Sequence, residues 1–314
     1  MSLSSISHVK RTEDKKRPAP PPMATFNKII VDRSGSMYSM NGVQVTMNEK
    51  LLEDAHDTAK ESNTPTFVTF TTFDDKVETH ISNKNILTTQ IPDKSELKKY
   101  LEPRGSTRFI DTILEAITDI KKEVKDYIAT LPKKTRDLNP RIVKLINCTT
   151  DGYDNMSNHT ANELQTAMNN FRNNGGEALL LTANMDAQEI GEQYGFNSDT
   201  SLTVHASDPD AIEYAFQCLR TTSAQVSSGG TAIPYTQLQR ATSSQPTVEI
   251  DHFQSLAPPS LPLRVQGLPL LRQNAVILPE SAFSDDEDDF IPLPSTPRPM
   301  RRSARLLARM NAKK

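Results

Sequence analysis

Along residues 25–222, short apolar or alternating runs are separated by longer stretches whose apolar residues recur every three or four positions. FNKIIVD (26–32) is an apolar run that ends on Asp32. The next segment, residues 40–62, puts Met40, Val43, Met47, Leu51 and Ala55 on one helical stripe. TFVTFTTFD (66–74) and KVETHIS (76–82) are rich in β-branched and aromatic residues and read as strands. The tight Asp74-Asp75 between them predicts a hairpin, so one of the two is antiparallel at a sheet edge. RFIDTILEAITDIKKEVKDYIATL (108–131) carries the clearest helical spacing, from Ile110 to Ile128, and Pro132 stops it. RIVKLINCT (141–149) is a strand, residues 157–176 a helix closed by glycines, and EALLLTAN (177–184) a buried strand. AQEIGEQYG is a short helix, SLTVHA (201–206) a last strand, and residues 208–220 a helix with Pro209 in its first turn.

Strands alternating with helices require crossover connections. The spacing therefore predicts an α/β fold: a doubly wound, mostly parallel six-stranded sheet with helices on both faces. Ligands of such sheets bind at the carboxyl ends of the strands, where strand order reverses.

Outside 25–222 the periodicity fades. Residues 1–24 form a basic, proline-rich arm and residues 223–314 a tail, both expected to be mostly disordered. The tail carries an acidic segment at 284–289 and a basic amphipathic end at 298–314, with Ser281, Ser284 and Thr296 as candidate phosphosites. The basic end suits nucleic acid or an anionic surface. Net charge is −3, and Cys148 and Cys218 read as buried free thiols. No apolar run reaches the roughly 20 residues of a membrane span, and the start has no signal-peptide core. The expectation is a cytoplasmic or nuclear protein.

The chemistry sits at two strand ends. Asp32 closes the first strand and Ser34 and Ser36 follow it; Asp151 lies just past the strand at 141–149; Thr107 precedes the 108–131 helix. Two carboxylates with no basic partner repel, and a cation between them removes that cost. Two carboxylates plus three hydroxyls form a hard, all-oxygen set that suits Mg2+, or Mn2+ or Ca2+, better than zinc.

DRSGS, then GST ahead of a helix, then TDG after an apolar strand, resemble the von Willebrand factor type A domain and its metal-ion-dependent adhesion site. The resemblance places Asp32, Ser34, Ser36, Thr107 and Asp151 at the five site positions, in order, and covers about two-thirds of the chain. It implies a protein-binding module in which a partner's Glu or Asp completes the metal's coordination.

Asp154 reads as a turn residue and Gly152 as serving the same turn; the six scattered histidines, His159 soon after Asp151 among them, read as structural or exposed rather than as ligands. No catalytic residues are expected. Ser34 stands where the dehalogenase-type phosphatase motif needs a second acid, no phosphate-binding G-x-x-x-x-G-K-[ST] loop occurs, and no G-x-G-x-x-G follows the first strand. The competing readings are a metal-dependent hydrolase or phosphatase, and a structural protein that binds nucleic acid or an anionic surface through 298–314.

Overall fold

A computed structural model describes residues 23–245; the expected phosphosites, acidic segment and basic end, and all but the last two residues of the expected arm, lie outside them. Six strands form one sheet: β1 (Ala24–Asp32), β2 (Thr66–Phe73), β3 (Val77–Asn85), β4 (Ile142–Thr150), β5 (Gly176–Ala183) and β6 (Ser201–Val204). The order is β3-β2-β1-β4-β5-β6. All neighbours are parallel except β2 and β3, the predicted edge hairpin.

Strand alternation explains why the runs are apolar on both sides. Ile29 and Val31 of β1 join a core with α1 (Val43–Ser62) and α7 (Pro209–Ser227); Phe26 and Ile30 join an opposite core with α3 (Phe109–Thr130) and α5 (Ala161–Asn173). Both faces of the sheet are covered, so the strands read as continuous hydrophobic segments. From β1 the chain winds outward through β2 and β3; from β4 it winds the other way through β5 and β6. The reversal lies between β1 and β4, paired with Val31 opposite Thr149.

Several boundaries differ from the expectation. The first helix starts at Val43, because residues Gly35–Met40 form a 3-10 turn and Asn41 and Gly42 take left-handed backbone at φ 54° and 78°. Met40 thus reaches the core from the turn. The helix expected from residue 157 starts at Ala161, where Thr160 and Glu163 form a capping box. This leaves 151–159 as an open loop. The sequence pattern missed α2 (Lys94–Tyr100), α4 (Lys133–Asp137) and α8 (Gln237–Ser244). In α2 only Leu97 is buried, so no apolar stripe marks it, although the Asp93–Glu96 capping box does.

Packing against the sheet continues past residue 222. Helix α7 runs to Ser227 and buries Val226, and Tyr235 is buried beyond it. Arg240 of α8 donates to the carbonyls of Ser198, Asp199 and Ser201, and Ser243 O accepts from His205 N at 2.8 Å. This helix caps the outer edge of β6 with polar contacts rather than an apolar stripe, so periodicity could not reveal it. α6 (Ala187–Tyr194) completes the helices.

Candidate metal centre

The site is built at the β1–β4 seam. Asp32 is 1% exposed; Oδ1 accepts from Ser34 N at 2.6 Å and Oδ2 accepts from Thr150 Oγ1 at 2.6 Å. Ser34 Oγ lies 3.1 Å from Ser36 Oγ, and Ser36 Oγ donates to Asp151 Oδ1 at 2.7 Å. A continuous string of polar contacts therefore joins the two carboxylates through the two serines. Thr107, also buried, closes the ring over Gly152: a Cβ built there would stand 3.0 Å from Thr107 Oγ1 and 3.7 Å from Ser36 Oγ. All five residues singled out in the sequence lie in one cluster.

Three loops carry these groups, and polar frames lock them together. Arg33, between Asp32 and Ser34, is buried. Its Nε donates to Asp74 Oδ2 at 2.9 Å and its Nη1 to Glu78 and to the Tyr100 carbonyl. Arg104 Nε shares Asp74 Oδ2 at 2.7 Å, and Arg104 N donates to Arg33 O at 2.7 Å. The guanidinium pair lowers both carboxyls below the usual carboxylate range, Asp74 despite its burial and Glu78 from a half-exposed position. Gly35 N reaches Gly105 O at 3.3 Å. Gly105 takes φ +69°, and any Cβ there would strike Asp75.

The loop after β4 is tied to the start of α3. Thr107 N donates to Asn155 Oδ1, Asn155 N to Thr107 O, and Ile110 N to Asp154 Oδ1. Asp154 thus caps a helix and bonds Ser157, with its carboxylate directed to the frame. His159 Nδ1 meets Asp111 Oδ1 at 2.7 Å. Burial acts to raise the Asp111 carboxyl, but bonds from Asn158, His159 and Arg108 outweigh it and leave it well below the ordinary range.

Electrostatics identify what the cluster lacks. Burial pushes the Asp32 carboxyl up to about 6; bonds from Thr150 and Ser34 oppose the rise, and the charge of Asp151 adds to it. Burial raises Asp151 as well. Among the described residues neither aspartate forms an ion pair with a Lys or Arg. Nor, among them, do three or more His, Cys, Asp or Glu side chains gather as a metal cluster, so the formal charge here rests on two carboxylates. A buried and a half-buried acid of like charge, lined by hydroxyl oxygens, fit a divalent, oxygen-preferring cation, and of the three hydroxyl residues Ser36 is the exposed one.

No protein-family model matches the chain, and no curated protein matches it. Solved structures do. The chain is similar to proximal thread matrix protein 1 from the mussel byssus with a zinc-occupied MIDAS motif: 15% identity, 65% of this chain and 46% of that chain covered, TM-score 0.39. It is similar to a von Willebrand factor type A protein from Catenulispora acidiphila at 16% identity, covering 65% and 43%, TM-score 0.42. It is similar to manganese-loaded TRAP protein of Plasmodium vivax at 17% identity, covering 52% and 58%, TM-score 0.35. The chain spans less than half the length of the first two.

Thr150, Asp74 and Asn155 are site-building residues that motif reading passed over. Thr150 was open to detection, because once β1 and β4 are paired its position opposite Asp32 follows from register. Asp74 and Asn155 act through contacts distant in sequence, which no local pattern encodes.

Proposed function

We propose that this chain is a metal-dependent protein-binding module of the von Willebrand type A kind, which captures an acidic residue of a partner protein. The observation that carries this reading is the polar string from Asp32 through Ser34 and Ser36 to Asp151, at the point where strand order reverses. Asp32, Ser34, Ser36, Thr107 and Asp151 would hold Mg2+ or a similar divalent ion, which when bound supplies a positive centre for a carboxylate. The chain's own residues do the rest. The Arg33–Asp74–Arg104 frame fixes the loops, and burial of Asp32 keeps water from one side of the pair. On the other side Ser36 is exposed, as are Tyr153 and Met156 of the neighbouring loop, and a partner can reach the site there.

The reading is of a binder and not a hydrolase. His159, the histidine nearest in sequence to Asp151, is engaged with Asp111, and this supports serines that serve as donors to a metal and not as activated nucleophiles. The test is affinity capture of partners with Mg2+ or with EDTA, using Asp32→Ala as control. Capture that needs both the metal and Asp32 is expected. Capture indifferent to both, or metal-dependent turnover of a generic phosphate ester, would refute the reading.

A further inference from the structure

A groove of about 500 Å³ adjoins the site and belongs to the same two loops. Its lining includes Met37 and Tyr38, directly after Ser36, and Leu101 and Pro103, ahead of Thr107. Gln44 and Val45 of α1 form its floor, and Lys98 and Lys99 of α2 stand at its lip. Tyr38 is 70% exposed, so its ring is available to a ligand in the groove.

A further observation bears on what would fill the groove. Among the described residues neither Lys98 nor Lys99 forms an ion pair, whereas Lys94 on the same helix is paired with Glu49. Glu102 at the same lip leaves the two lysines in excess.

We infer that this groove receives the partner's chain beside the captured carboxylate: an extended peptide segment with an apolar residue to lie against Tyr38, Val45 and Leu101, and a second acid for Lys98 and Lys99. The metal would give attraction for any exposed acid, and the groove would give selectivity among acids. The inference rests on the metal-binding reading above.

The test uses a random peptide library displayed on phage, selected against the full chain in Mg2+ and counter-selected in EDTA. Enriched peptides are expected to share one Asp or Glu, an apolar residue at a fixed offset, and a second acid. A synthetic peptide of the enriched sequence should bind Tyr38→Ala, and the Lys98→Glu/Lys99→Glu double variant, each about tenfold more weakly. Mn2+ affinity of both variants, read by electron paramagnetic resonance, should equal that of the native chain. Peptides that share only a lone acid, or that bind both variants as tightly as the native chain, overturn the groove while leaving the metal reading intact. No enrichment, or binding that survives EDTA and Asp32→Ala, overturns both.

Discussion

Thr150 Oγ1 donates a 2.6 Å hydrogen bond to Asp32 Oδ2 across the seam between β1 and β4. That bond, with the Ser34 N bond to Oδ1, fixes the orientation of a buried carboxylate beside the serines that lead on to Asp151. The site is therefore preorganised by the sheet, and its unmet requirement is positive charge.

Divalent metal should stabilise the fold by mass action. At about 100 times its Kd, Mg2+ should add about 2.7 kcal/mol, or about 5–10 °C in Tm for a domain of this size. Thr107→Ala and Asp151→Ala should lose most of that shift. Thermal melts in Mg2+ and in EDTA check it.

The pH dependence has a definite sign. In the metal-free protein Asp32 is raised to about 6, above the ordinary unfolded value of about 3.9. The folded state then holds the extra proton between these values, so ionised Asp32 disfavours folding above pH 7 by about 2–3 kcal/mol, and the penalty fades as pH falls toward 4. In EDTA, Asp32→Asn should melt above the native chain at pH 8, and the gap should close near pH 4. Burial and the nearby Arg33 charge depress His80 to about 4, which removes stability as pH falls from 6.5. That loss is common to both proteins and cancels in their difference. A gap independent of pH would contradict the assignment.

Gly152 should matter for metal more than for folding. Its backbone φ is not positive, so alanine is tolerated locally. The added methyl would press on Thr107 Oγ1 at 3.0 Å. Gly152→Ala should weaken Mn2+ binding roughly tenfold and change stability by less than about 1 kcal/mol, as measured by Mn2+ titration and urea unfolding.

Asp74→Ala should be severe. It leaves Arg33, 2% exposed, without its buried acid. Removing one partner of a buried pair costs about 3–5 kcal/mol. Urea denaturation measures it, and a loss under about 1 kcal/mol would show that Glu78 alone satisfies the guanidinium.

Ending the chain at residue 222 should destabilise the domain. The cut removes the burial of Val226 and Tyr235, about 2 kcal/mol each, and the bond from Thr25 Oγ1 to Ser227 O. Arg240→Ala, which frees three carbonyls near β6, should cost about 1–3 kcal/mol. Equal melting of the truncated and full-length chains would restore the shorter boundary.

The sequence by itself determined the strands, the long helices and the five oxygen-bearing residues, because each is written in local pattern: apolar runs for strands buried on both faces, three- and four-residue spacing for α3, and a short motif for the loop after β1. The antiparallel edge hairpin was legible for the same reason. Only the tertiary structure decided that Thr150 orients Asp32, that Arg33 and Arg104 converge on Asp74, that Asp154 serves a helix end, and that α8 belongs to the domain. These depend on groups far apart in the chain meeting across the sheet, and α2 and α8 bury too little apolar surface to leave a periodic trace. Side-chain periodicity records which face an element buries; it holds no record of which distant polar atom will stand beside which.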